Sequence, residues 1–260
     1  MEPTRKPAKV PLRPANTPAA TTPDLGRPPK LDRMHWARWF VPVGLIFLSL
    51  VPVIAGSSRL TQLAGGGITA ENARFFDSPV PVLIHIPTVT LYLLLGSFQF
   101  VPSLRRGKRG RTSWHRMAGR ILVPAGLLAA LSGLWMAVFY DLPPLDGPLL
   151  LILRLIFGSA MVASLSLGFL AVRRHDYVRH SEWMTRAYAI GIAQGTIVVV
   201  TIPWIVLVGP VTELTRALLI GASWVLSLAV AEYVIHRRAQ TSPRIPHAPA
   251  LPIESEPQPL

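Results

Sequence analysis

"AYAIGIAQGTIVVVTIPWIVLVGPVT", residues 187–212, contains no Lys, Arg, Asp or Glu. As a helix rising about 1.5 Å per residue it would exceed the roughly 30 Å hydrocarbon core of a bilayer. It lacks the alternation of a membrane strand, and only helices and closed barrels satisfy their backbone groups in lipid. The stretch therefore predicts a spanning helix. Working outward, residues 39–58, 78–104 and 121–140 are also free of charge, and 149–172 carries only Arg154. Residues 217–235 complete the set if Glu232 sits at the membrane rim. The predicted fold is an all-α integral membrane protein, a bundle of six transmembrane helices with both termini cytoplasmic.

Composition agrees. Half of the 260 residues are apolar and only 15% are charged, against about 25% charged in soluble domains. The net charge of +13 could suggest a nucleic-acid ligand, but its distribution does not. With six spans and the N-terminus inside, the inner segments 1–38, 103–120, 173–186 and 236–260 hold 22 of the 26 Lys and Arg residues. That is the positive-inside bias. The expected partner is a lipid bilayer with anionic lipids at the inner face, and the expected location is the cell membrane. There is no cysteine, which excludes disulfides, thiolate metal sites and thiol redox relays. The first apolar run begins too far from Met1 for a cleavable signal peptide. Residues 1–34 and 239–260 are Pro-rich and aperiodic and are expected to be disordered tails around one membrane domain, 35–238. The longest outer connection is expected at 57–78, with "AGGG" as its flexible point.

Few residues in the spans can carry chemistry. "WHRMAGR" (114–120) and "HSEWMTR" (180–186) each place a histidine before an arginine at the inner start of a span. His115 and His180 should then lie at similar depth. If their helices are neighbours, two imidazoles can face one another, as bis-histidine haem ligation in a helical bundle requires. Arg116, Arg120 and Arg186 would hold haem propionates or a quinone head. Otherwise the same residues are a basic membrane rim. At the outer side, His85 and Arg154 lie at comparable depth and could line one outward-facing pocket. Ionisable groups in lipid usually face the bundle interior, although Arg154 could instead snorkel to the head groups. Asp77, Asp141, Asp146 or Glu213 could supply its counter-ion.

Other polar residues read as structural. Glu182 and Arg186 are spaced i, i+4 in the favourable order for a salt bridge. Glu232 is expected to pair with an inner arginine such as Arg116 or Arg120. Gln99 and Gln194 are expected to be buried interhelical hydrogen-bond partners, and Gly191 and Gly195 form a small-residue packing pair. No His-Glu-x-x-His motif or phosphate-binding glycine loop occurs, and no protein metal site is expected.

Four stretches, "LLLGSFQF" (93–100), "WHRMAGR" (114–120), "RHSEWMTRAYAIG" (179–191) and "SWVLSLAVAEYVI" (223–235), together resemble the bacterial membrane proteins grouped as domain of unknown function 2306. The resemblance covers roughly residues 80–236. It implies a multi-pass membrane protein and supplies no activity. The family's characteristic polar positions would fall on His85, Gln99, His115, Arg116, Gly119, His180, Trp183, Met184, Arg186 and Glu232. The chain departs from the pattern at Ser181, where the family commonly has Arg, and at Ser227, where Asn is common.

The sequence thus suggests a membrane redox protein holding b-type haem or a quinone near the inner face through His115 and His180, with His85 and Arg154 forming a pocket for an electron donor or acceptor. The alternative is a small-molecule transporter or a non-catalytic scaffold without a cofactor.

Overall fold

The computed structural model describes residues 31–101 and 114–241, with side chains for 40–101 and 114–240. Most of both expected tails and residues 105–113 of the basic loop lie outside these residues. Seven helices follow in order: α1 (Leu31–Gly65), α2 (Ala73–Asp77), α3 (Pro79–Phe98), α4 (Trp114–Phe139), α5 (Pro148–Arg173), α6 (Tyr177–Leu207) and α7 (Glu213–Thr241). All except α2 are long and apolar enough to cross a membrane, and the described residues contain no strand.

Local chemistry fixes several boundaries. Prolines at the first helical positions open α3 and α5, where a missing N–H costs nothing and φ is already helical. Asp176 caps α6 by accepting a hydrogen bond from the backbone N–H of Arg179 at 3.0 Å. His175, at φ 61°, closes α5 in the left-handed conformation. The 57–78 connection is more ordered than its composition suggests. α1 continues to the glycines at 65–67, and α2 occupies 73–77. Ser57 and Thr61 stay helical by donating to carbonyls four residues back. α1 also begins at Leu31, upstream of the charge-free run, and α7 runs on to Thr241.

α6 is the central helix, packed against α1, α3, α5 and α7. α4 completes the wall between α3 and α5. Leu93, Leu165, Ala187 and Ala193 are fully buried along this axis. Tyr188 donates to the carbonyl of Leu93 at 2.8 Å and so ties α6 to α3. Its ring lies over Gly96, where a Cβ would come within 2.4 Å of the ring. Ser227 donates to Thr196 at 3.1 Å between α7 and α6. The outer belt is apolar: Phe40, Phe47 and Ile54 of α1, and Ile152, Ile156, Val199 and Val225 of other helices, are all exposed. In water such a surface would be a liability; in a bilayer it is the solvent-matched face.

Candidate functional site

Polar side chains collect at two places. One is the basic end, where α4 and α6 start and α3, α5 and α7 finish. The other opens from the far end.

At the basic end, His115 and His180 come together with ring centres 6.5 Å apart and planes at 80°. Both rings are oriented through Nδ1. His115 Nδ1 meets Oε1 of Gln99 at the end of α3. His180 Nδ1 lies 2.8 Å from the carbonyl of Gly168 on α5. A carbonyl oxygen only accepts, so each Nδ1 donates to its partner. Gln99 thus serves as the interhelical partner that the sequence suggests.

The ion pairs at this end differ from expectation. Glu232 binds Arg186, with Nε–Oε1 2.5 Å and Nη2–Oε2 3.0 Å, rather than serving Arg116 or Arg120 as its carboxylate. The i, i+4 contact of Arg186 with Glu182 is looser, at 4.0 Å. The reason is geometric: α7 lies along α6, so a carboxylate on the neighbouring helix reaches the guanidinium in a two-point fork that Glu182 cannot form. Trp183 lies 4.8 Å from the Arg186 guanidinium. No group of three or more His, Asp or Glu side chains that could hold a metal ion occurs among the described residues.

From the far end a cavity of about 330 Å³ enters the bundle between α3, α4, α5, α6 and α7. It contains both His85 and Arg154, so the structure brings these two together. Small residues make the space: Ala129, Ala130, Gly133, Ala137, Gly158 and Gly191. His85 Nδ1 lies 2.9 Å from the Ala129 carbonyl and 3.2 Å from Ser132 Oγ. Its proton therefore sits on Nδ1, and among the described residues Nε2 has no hydrogen-bond partner.

Gln194 is not the buried partner that its place in an apolar run suggests. Its side chain is exposed in the middle of α6, lines the cavity, and makes no hydrogen bond among the described residues. Sequence reading missed this because the opening is made by small residues on other helices.

Of the candidate counter-ions for Arg154, the structure selects Asp146, at 2.6 Å. The same buried carboxylate accepts from Arg216 Nε at 2.7 Å, so it joins α5 to α7 at the cavity mouth. Beside it Arg74 donates to the Asp141 carbonyl at 3.1 Å, and Phe75 meets Tyr140 edge to face at 5.3 Å. Burial disfavours the charged form of Asp146, but the bonds from Arg216 and Arg154 outweigh it and hold the carboxyl below the usual carboxylate range. A carboxyl lowered by folding stabilises the native state fully above its unfolded pKa and loses that contribution as pH falls through the folded one. Melting temperature in nanodiscs is therefore expected to drop as pH falls below about 4. Asp146→Asn should melt lower at neutral pH and show a shallower acid drop. An identical acid limb in the variant would remove Asp146 as its cause.

A family profile described as "Predicted membrane protein (DUF2306)" matches residues 82–235, from α3 to the last turns of α7, and leaves α1 and α2 outside. No curated protein and no solved structure matches the chain.

Proposed function

The chain belongs to the DUF2306 family of multi-pass membrane proteins, and on that premise we propose that it is a membrane redox protein that holds b-type haem between His115 and His180. The observation that carries this is the imidazole pair. A histidine nitrogen binds a metal at about 2.0–2.1 Å, and the ring centre lies about 1.1 Å beyond it. Two imidazoles that held one metal would thus have ring centres roughly 6 Å apart. The pair here stands at 6.5 Å. The donor set also suits haem. Two ligands cannot complete a protein metal site, but they complete one in which a macrocycle supplies the other four donors.

The chain's own residues have definite parts in this scheme. Gln99 and Gly168 accept from Nδ1 of the two rings and so orient them, and Nε2 is the nitrogen that would coordinate. Arg116 and Arg120, on the first turns of α4, suit propionate groups. Arg186, already engaged by Glu232, anchors α6 to α7 beside His180. When bound, haem supplies reversible one-electron transfer.

The far-end cavity supports a second reading, in which the chain carries or senses a small molecule without a cofactor, and the two histidines are rim residues. A visible spectrum separates the two. Protein purified after expression with haem precursor is expected to show a Soret band and sharp reduced α and β bands. His115→Ala and His180→Ala should lose them, and exogenous imidazole should restore them in His180→Gly. His85→Ala should keep them. A colourless but folded protein that also fails to take up added haemin would overturn the haem assignment.

A further inference from the structure

The far-end cavity is independent of the histidine pair: Gln194 lies fourteen residues, about 21 Å of helix axis, beyond His180. We infer that this cavity is a binding site for a neutral ring compound carrying at least one hydroxyl group.

Three observations lead there. The first is unmet hydrogen-bonding capacity. The Gln194 amide offers two N–H donors and an acceptor, and makes no bond among the described residues although it stands midway along a spanning helix. His85 presents Nε2 as an acceptor with nothing donating to it, because Nδ1 is committed to Ala129 and Ser132. Polar groups that face a mostly apolar cavity without a protein partner call for a ligand or water. His85 needs a donor and Gln194 accepts either polarity. A hydroxyl satisfies both requirements, whereas a carbonyl or ether does not serve His85.

The second observation is charge balance. At the mouth the single carboxylate of Asp146 is shared by two guanidiniums, Arg154 and Arg216. The residues that face the interior of the cavity beyond that rim carry no net charge: His85 has a neutral tautomer and Gln194 is an amide. An ionic group placed beyond that rim would stand without a counter-ion, which is unfavourable in this setting. The occupant is therefore neutral.

The third is the shape and chemistry of the lining. The deepest residues along their helices, Val89, Met161, Ile190 and Trp224, are apolar. Trp224 is held flat by stacking on Phe157, with ring centres 4.7 Å apart and planes at 17°. Thioethers and aromatic walls favour an aromatic occupant. A mostly apolar cavity of this size with a few convergent polar groups is what small-molecule sites generally look like.

The test is calorimetric titration of 1-naphthol into the protein in lipid nanodiscs, with 1-methoxynaphthalene as the probe lacking the donor and empty nanodiscs as the blank. Wild type is expected to bind 1-naphthol saturably at one site and the methoxy compound at least tenfold more weakly. Gln194→Leu removes an unpartnered amide, so it should fold as wild type and bind 1-naphthol at least tenfold more weakly. Ala137→Phe, which fills the passage, should abolish binding. Equal uptake of both probes by wild type and both variants would mean partition into lipid and would overturn the assignment, as would the absence of saturable binding. The haem spectrum does not enter this readout, so either proposal can fail alone.

Discussion

Gly195→Ala is expected to cost about 3 kcal/mol or more, at the upper end of the range for overpacking. A Cβ at this position would lie 2.0 Å from the carbonyl oxygen of Leu48 and 2.6 Å from its carbonyl carbon. The obstacle is backbone, not the movable end of a side chain. α1 must shift bodily away from α6, and its contacts with α3 go with it. Melting in nanodiscs should fall by several degrees, and cross-links between cysteines placed on α1 and α6 should weaken. Gly44→Ala is the matched control. It lies on α1, the helix that Gly195 packs against, with nothing within 4 Å of a new Cβ, and helix propensity favours the change slightly. Equal melting temperatures for the two variants would show that the α1–α6 contact is not close in the membrane.

The second large effect concerns Arg186 and Glu232. Removing one member of a buried ion pair costs about 3–5 kcal/mol. These side chains are 23% and 39% exposed, so Glu232→Ala and Arg186→Ala are each expected to cost about 2 kcal/mol, below that range. Replacing both at once, Arg186→Met with Glu232→Leu, should recover most of the loss, because the double variant leaves neither half of the two-point fork behind and gives up only the looser contact with Glu182. A double-mutant cycle measured by thermal melting gives the coupling directly. Additive losses would show that the fork between α6 and α7 contributes nothing as a pair.

What the sequence made legible follows from what it encodes locally. The six spans are one-dimensional features: length, absence of charge and end signals sit within each run. The meeting of His115 and His180 was legible too, because two helices that run the same way from the same rim put equivalent positions at one depth. The choice of partner for Glu232 was not. It depends on α7 lying along α6, which no local pattern states, and an arginine on any neighbouring helix would have suited it. Gln194 was misread for a related reason. Within "GIAQGT" it has only apolar and small neighbours, so burial is the natural expectation. Its exposure is created by alanines and glycines on α4 and α5, whose own sequences read as ordinary close-packing residues. The helical continuation of α1 past residue 58 was hidden by the polar composition of the stretch, which its side chains offset by bonding back to the helix.

The separation of the two polar clusters along α6 has an electrical consequence. About 21 Å of helix axis lies between Gln194 and His180, some two-thirds of the roughly 30 Å hydrocarbon core. An elementary charge that travels this distance crosses a corresponding share of the transmembrane voltage, about 1.5 kcal/mol for every 100 mV. Any net charge moved between the clusters would therefore be electrogenic: it would register as a current in a planar bilayer and stop at a definite potential.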